Sequence, residues 1–367
     1  MPRPARPHLL VDISAHGFGH VSQTAPVVHE LVQRMDRLGP GLQVTVRSAA
    51  PLELLQRRMR CEFRHIPVAL DFGMKMANAV DVQVAASAAA YREYHADWDA
   101  KVARAAGDMR ALRPDLLLAN VPYLSLAAAH EAGIAAAAMC SLNWADIYGH
   151  YCADAAGAAQ IRAQMLAAYN SARVFLRPQP AMPMPDLGNA RSIGPIAQPG
   201  RNLRTQLRLP APEGADRAGK LILAAMGGIA FRLPMERWPA IPGVRWLIPQ
   251  EWNIARGDML AVETLALPFG DVLASCDAVL TKPGYGTFTE AACAGVPVLY
   301  VTRPDWPEEP CLVRWLEQNG VCREVERERL ESGGLADVLH RLWQQARRPA
   351  PAHPGAQEAA QILAEML

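Results

Sequence analysis

Over almost its whole length the chain alternates short apolar runs with longer, alanine-rich amphipathic segments, and one proline-rich passage interrupts that rhythm. Short apolar runs set between helical stretches are the pattern of βα units, whose strands lie buried in a parallel sheet. The first series places strands at 8–14, 43–48, 63–67, 116–120 and 135–140, with 173–176 as the last. Its helices fall at 24–37, 51–59, 91–112, 124–132 and 157–171. Eight prolines between 178 and 212 then mark a connection that can continue neither helix nor sheet. A second series follows, with strands at 221–225, 244–248, 262–266, 278–281 and 296–301 and helices at 269–275 and 288–294. Two helical stretches, broken at 348–354, close the chain. The expected class is α/β: two doubly wound, Rossmann-like domains facing a cleft, because such sheets bind ligands at the carboxyl ends of their strands. The expected boundaries are 1–195, a linker at 196–215, 216–345 and a helical tail at 346–367.

Composition narrows the partners. At 367 residues, 51% hydrophobic and 20% charged, the chain can fill two cores. Lys+Arg number 37 against 36 Asp+Glu, so no overall field recruits nucleic acid or an anionic surface. The seven cysteines are scattered and odd in number, reading as buried hydrophobes in a reducing compartment. The Pro/Arg-rich start lacks a leader-like apolar region, and the longest apolar stretch, 134–140, is far short of the ~20 residues of a membrane helix. A cytoplasmic protein is expected, with peripheral association at the inner membrane left open.

The most informative stretch is Thr281-Lys282-Pro283-Gly284-Tyr285-Gly286-Thr287-Phe288-Thr289-Glu290, a strand end, a Gly-rich turn and a helix start. Unpaired N–H groups and the helix dipole make such a terminus an anion site suited to a diphosphate. Gly284 and Gly286 permit close backbone approach, and Lys282 and Thr287 offer a charge and a hydroxyl. Thr287 and Glu290 also have capping-box spacing, in which Glu290 only closes the helix end. After the next strand comes Thr302-Arg303-Pro304-Asp305-Trp306-Pro307-Glu308-Glu309, which sets three acids beside the anion site. Carboxylates there are of no use to phosphate but can accept hydrogen bonds from sugar hydroxyls.

In the first half, strand one runs into Ser14-Ala15-His16-Gly17-Phe18-Gly19-His20, with Pro26 at or just inside the next helix. Gly17 and Gly19 let this loop pass close to a ligand. A histidine in such a loop is either structural or functional. The loop resembles that of GT-B glycosyltransferases in which a histidine near the acceptor serves as general base, which makes His20, or His16 or Asp12 in its place, the candidate base for an attacking hydroxyl near neutral pH. No third ligand stands at diagnostic spacing from the two histidines, so no metal is expected. Asn143, Trp144, Asp146 and Tyr148 follow the fifth strand. The aromatics either stack on a sugar face or pack under a loop, and the polar pair can bond hydroxyls. Asp71 and Lys75 fall in a loop expected to move over the cleft.

The second-half motif, with Gly227-Gly228 after its first strand, resembles the C-terminal half of GT-B glycosyltransferases. These include the bacterial enzyme that adds N-acetylglucosamine to lipid I and the UDP-glycosyltransferases. Carried over by position, the resemblance implies that Glu290 holds the donor ribose, Glu308 and Glu309 contact the hexose, and Gly227-Gly228 lies near the pyrophosphate. This chain departs from the family at Lys282-Pro283, where a histidine is usual, and in lacking Gln in the sugar-binding pair. His16-Gly17-Phe18-Gly19-His20, Leu70-Asp71-Phe72-Gly73 and the Ser141–Tyr148 segment are together similar to the GT-B-like N-terminal half of plant arabinokinases and its stand-alone bacterial relatives. The galactokinase-type half of those proteins is missing, so the chain itself is not expected to be a kinase. What the resemblance implies is an inverting, metal-independent transfer from a nucleotide-sugar donor to a small-molecule or lipid-linked acceptor, without a cofactor. A binding module without turnover and a GT-B epimerase or hydrolase are the competing classes.

Overall fold

The computed structural model describes residues 6–367 except 79, 208–218, 229–230 and 304. The first series comprises β1 (His8–Ile13), α1 (Gly19–Leu38), β2 (Gln43–Arg47), α2 (Leu52–Met59), β3 (Arg64–Ile66), α3 (Val84–His95) and α4 (Trp98–Leu112). It continues through β4 (Leu116–Asn120), α5 (Tyr123–Ala132), β5 (Ala135–Met139), α6 (Trp144–Cys152), α7 (Ala158–Ser171), β6 (Val174–Pro178) and β7 (Ala190–Ile193). The second comprises β8 (Lys220–Ala225), β9 (Val244–Ile248), β10 (Met259–Ala261), α8 (Phe269–Ala274), β11 (Ala278–Thr281), α9 (Tyr285–Ala294) and β12 (Val298–Tyr300). It ends with α10 (Glu309–Asn319), β13 (Cys322–Glu324), α11 (Arg327–Ser332), α12 (Ala336–Trp343) and α13 (Gly355–Ala364).

Both sheets are parallel, in the orders β3-β2-β1-β4-β5-β6-β7 and β10-β9-β8-β11-β12-β13. Each order reverses direction once, between β1 and β4 and between β8 and β11. A reversal leaves a crevice at the carboxyl ends of the two strands, because the connections leave toward opposite faces. Both glycine-containing loops read from the sequence start at these points: 14–18 follows β1, and 226–228 follows β8.

One apolar cluster runs through both domains, joining Leu9, Val28 and Leu31 to Leu223, Phe288 and Leu363. Separate clusters fill the outer faces of the two sheets. The terminal helix α13 packs against α1 of the first domain. Its start is fastened where Gly355 N–H donates to the Pro195 carbonyl at 3.0 Å. Tyr285 in α9 ties the second domain to the connection, accepting from Ile196 N–H at 2.9 Å and donating to the Gln179 carbonyl at 3.0 Å.

Several expectations are corrected. The first sheet does not end at 173–176, since β7 adds an edge strand beyond β6. The segment 262–266 is a 3-10 turn after the short strand β10. The helix expected at 91–112 is two, because the backbone departs from helical angles at Asp97 (φ −117°, ψ 50°); the turn stacks His95 on Trp98 at 4.8 Å. Helix α1 begins five residues early, so His20 lies in its first turn and Pro26 well inside it. Residues 208–215 of the expected linker lie outside the described residues.

Candidate functional site

The end of β1 and the start of α1 carry the two histidines. His16 donates from Nδ1 to the Phe72 carbonyl at 3.1 Å, which leaves its lone pair on Nε2. Gly73 makes this possible: its φ is +58°, and a Cβ there would stand 2.6 Å from the His16 ring. His16 meets the Trp144 ring edge-on at 5.2 Å and stacks near-parallel to Trp306 at 6.4 Å, the latter from the second domain. His20, 5% exposed, donates from Nδ1 to Asn120 Oδ1 at 2.9 Å. Burial holds His20 down to about 4. Burial first, then the neighbouring His20 and the charges of Arg303 and Lys282, hold His16 to about 3. Both imidazoles are therefore neutral at pH 7, with Nε2 as the basic atom.

Asp71 is anchored within its loop. It accepts from Ser14 Oγ at 2.7 Å and Trp144 Nε1 at 2.9 Å, and burial lifts its carboxyl to about 6. The fallback base Asp12 is unsuited to that role, because Arg47 grips both its oxygens at 2.8 and 2.5 Å inside the sheet. Asn143 and Asp146 are engaged with α6: Asn143 Oδ1 accepts from Asp146 N–H, and its amide donates to the Asp146 carboxylate, each at 2.8 Å. Arg162 takes the other Asp146 oxygen at 3.1 Å. Trp144 is fully buried and Tyr148 packs on Tyr91 at 4.7 Å, so these aromatics are core rather than an open stacking platform. An asparagine three residues before an acid is itself a cap signature, and was the signal to read there.

On the opposite side, Lys282 and Arg303 dominate. The Lys282 ammonium lies against Gly227, 3.6 Å from where a Cβ would stand. Arg303, 5% exposed, sits over the Trp306 ring at 4.2 Å. Among the described residues its side chain has no hydrogen-bond or ion-pair partner, and its Nε is buried. Burial first and the charge of Arg303 second bring Lys282 down to about 7, against the pull of Glu308 and Glu309. Arg303 itself is lowered by burial. Two crowded cations stand beside a glycine turn with Glu308 and Glu309 as their nearby counter-charges, an arrangement whose chemistry suits an anion. Nothing in the sequence distinguishes Arg303 from an arginine paired with the three acids of its loop.

The acids divide. Glu308 accepts from Ser141 Oγ of the first domain at 2.5 Å and from Trp306 Nε1 at 3.3 Å. Glu309 instead accepts from the Arg303 backbone N–H at 2.6 Å, closing its own loop rather than facing a hexose. Asp305 is exposed. Glu290 neither caps α9, which begins at Tyr285, nor faces an open cleft. It is 1% exposed, and Arg58 of α2 engages it at 2.5 Å. Gly284 is open, whereas a Cβ on Gly286 would stand 2.9 Å from Ser22 in α1, and one on Gly228 would strike the Phe18 ring at 2.6 Å. Those two glycines permit close approach of the two domains. Thr287 is partly exposed in the first turn of α9, and Gly17 (φ +86°) and Gly19 meet nothing that would obstruct a Cβ. Among the described residues, no group of three or more His, Cys, Asp or Glu is arranged to hold a metal, and no helix is long and apolar enough to cross a membrane.

Two parallel sheets of this order, with loops from both switch points turned toward each other, define the GT-B fold. The chain matches the solved glycotransferase of kitacinnamycin with a TM-score of 0.59 at 18% identity, covering 99% of this chain and 100% of that one. It matches the calicheamicin glycosyltransferase CalG4 with a TM-score of 0.58 at 15% identity, over 98% and 94%. A UDP-glucosyltransferase from Polygonum tinctorium gives 0.54 at 16%, over 100% and 99%. In sequence, the chain is 26% identical over 359 residues to L-arabinokinase of Arabidopsis thaliana, covering 90% of this chain and 31% of that protein. The chain thus spans about a third of that relative's length. No protein-family model matches it.

Proposed function

We propose that the protein is a glycosyltransferase that moves a sugar from a nucleotide-diphosphate sugar to an acceptor hydroxyl, with inversion at the anomeric carbon. The observation that carries this reading is that the loop bearing two neutral histidines meets the Lys282–Arg303 pair across the contact between two Rossmann-like domains. His16 feels the charge of both cations and stacks on Trp306, and His20 follows four residues on. His20 Nε2 takes the proton of the attacking hydroxyl. The bond from the anomeric carbon to the diphosphate breaks as the new one forms. The departing negative charge falls to Lys282, Arg303 and the N-terminus of α9. Those groups supply the positive charge that a divalent ion otherwise brings, and on this reading no metal is required. Phe18 against Gly228 has to move aside for a diphosphate on that turn, which makes donor binding a step with domain adjustment. Glu308 is the carboxylate best placed for the donor sugar. A ribose reaching Glu290 has to displace Arg58.

The test is thermal stabilisation by a panel of UDP-, GDP-, dTDP- and ADP-sugars with and without EDTA, on the wild type, Lys282→Met and Arg303→Met. Stabilisation by one donor, unaffected by EDTA and weakened in both variants, supports the reading. No stabilisation by any of them overturns it. Sugar release or epimerisation without acceptor, analysed on the same preparations, moves the protein to the hydrolase or epimerase class. Turnover insensitive to His20→Ala removes His20 as base.

A further inference from the structure

A buried line of hydrogen bonds joins His20 to Glu308. His20 Nδ1 meets Asn120 Oδ1 at 2.9 Å, and Asn120 Nδ2 meets Gln23 Oε1 at 3.3 Å. Gln23 Nε2 meets Ser141 Oγ at 2.7 Å, and Ser141 Oγ meets Glu308 Oε1 at 2.5 Å. His20, Asn120, Gln23, Ser141 and Glu308 are all buried. The first four come from three elements of the first domain, α1, β4 and the turn after β5, and Glu308 comes from the second.

With Glu308 ionised the line has one polarity. An ionised carboxylate only accepts, so Ser141 must donate to Glu308 and take its own bond from the Gln23 amide. Gln23 Oε1 then accepts from Asn120 Nδ2, and Asn120 Oδ1 is left to accept from His20 Nδ1–H. Asn120 Nδ2 also lies 3.5 Å from the His20 backbone carbonyl, so a flipped amide would set two oxygens against each other. Running the line backwards requires a protonated Glu308 as donor and a bare Nδ1 on His20, which puts the imidazole proton on Nε2 and removes the base.

We propose that Asn120, Gln23 and Ser141 are positioning residues that couple the Glu308 carboxylate of the second domain to His20 of the first, fixing His20 as the Nδ1–H tautomer with Nε2 free. The proposal rests on the reading of His20 as the base. It adds that the base is correctly set only when Glu308 is ionised and the two domains are apposed, so that water reaching an open cleft meets an unset base. Of the other titratable groups around His20, His16 in the preceding loop is held neutral by burial and nearby positive charge, and the Cys140 thiol, 3.7 Å from Nδ1, is pushed far up by burial. Burial raises the Glu308 carboxyl, while the bonds from Ser141 and Trp306 and the charges of Arg303 and Lys282 favour its ionised form, the form that sets this path. A neutral line of amides delivers less of that charge than a direct carboxylate partner, but it sets the tautomer just as firmly.

The test is the nitrogen-15 spectrum of the histidines, with His20 assigned by its loss in His20→Gln. The wild type at pH 7 is expected to show a protonated Nδ1 and a bare Nε2 on His20. Ser141→Ala, Gln23→Leu and Glu308→Leu are each expected to shift it toward the Nε2–H form that free imidazole prefers, and Ser141→Thr to keep the wild-type signature. Transfer assays on the same proteins should show kcat falling by on the order of 10²-fold, the lower end of general-base contributions, with donor KM changed far less for Ser141→Ala and Gln23→Leu. An Nε2–H tautomer in the wild type, or an unchanged tautomer in the three disrupting variants, overturns the proposal, and the wild-type spectrum decides even if a variant fails to fold. A shifted tautomer alongside full activity in His20→Ala would uphold the relay and overturn only the role of His20 as base.

Discussion

If Lys282 and Arg303 hold the donor diphosphate, donor affinity must fall as pH rises through neutrality, and the structure fixes the size of the effect. Lys282 sits at about 7 in the free protein, lowered by burial and by Arg303. A diphosphate at ~4 Å contributes about 4 kcal/mol at the effective dielectric of a protein surface, lifting Lys282 by ~3 units in the complex. The sign follows: affinity is complete below the free value and is lost about tenfold per unit as pH rises from there toward the bound value. Lys282 goes from ~90% charged at pH 6 to ~1% at pH 9, which gives roughly 90-fold weaker binding over that range. His16 and His20 do not contribute, since both stay neutral throughout. The diphosphate of a nucleotide sugar carries constant charge over this range, so a dissociation-constant series by calorimetry reads the lysine. Runs in two buffers at pH 8 should show ~0.9 proton taken up per donor bound. Lys282→Arg keeps its charge and should bind with no slope. A flat wild-type series, or a slope that survives in Lys282→Arg, refutes the assignment of Lys282 to the diphosphate.

Three further outcomes follow from contacts outside the base. Arg58→Ala leaves Glu290 buried without a partner and should cost ~3–5 kcal/mol in denaturant unfolding, whereas Arg58→Met with Glu290→Met should recover most of it. Gly286→Ala forces α1 from α9 at Ser22 and should cost ~1–3 kcal/mol, relieved by Ser22→Gly in the double variant. Asp71 has its carboxyl raised by burial, so its ionisation opposes folding above about 6; that cost is absent below the unfolded value near 4. Asp71→Asn should therefore stabilise by ~1–2 kcal/mol at pH 8, after discounting for its partial exposure, and give no gain at pH 4 in thermal melts.

The sheets were legible because their strands are apolar on both faces. Leu116–Asn120, Val244–Ile248 and Ala278–Thr281 fall where the apolar runs predict. Edge elements were not: β7, Ala190–Ile193, has two exposed residues of four and so carries little hydrophobic signal. Helix α6 was hidden because Asn143-x-x-Asp146 can be read either as a ligand set or as a cap, and only the amide geometry decides. The two glycine loops were found because a switch point demands them, and local sequence shows that demand. The partners of those loops were not found, because Arg58 and Glu290 stand 232 residues apart and Ser141 and Glu308 stand 167 apart. Periodicity and spacing carry no information over such separations.

The same separation explains what the site is built to do. On the proposed reading the donor-side groups lie after residue 226 and the base lies at residue 20, so transfer would need both domains. Contacts that cross between the domains are of two kinds. Arg58 with Glu290, and Ser22 with Gly286, hold α2 and α1 of the first domain against α9 of the second. Ser141 with Glu308, and His16 with Trp306, cross where the chemistry is assigned, and each joins a donor-side residue to a group beside the base. A transferase must bring its base to readiness beside the acceptor only when the donor is in place, or water takes the sugar. Placing Glu308 at once beside the donor cations and at the end of the line to His20 meets that demand with a single carboxylate.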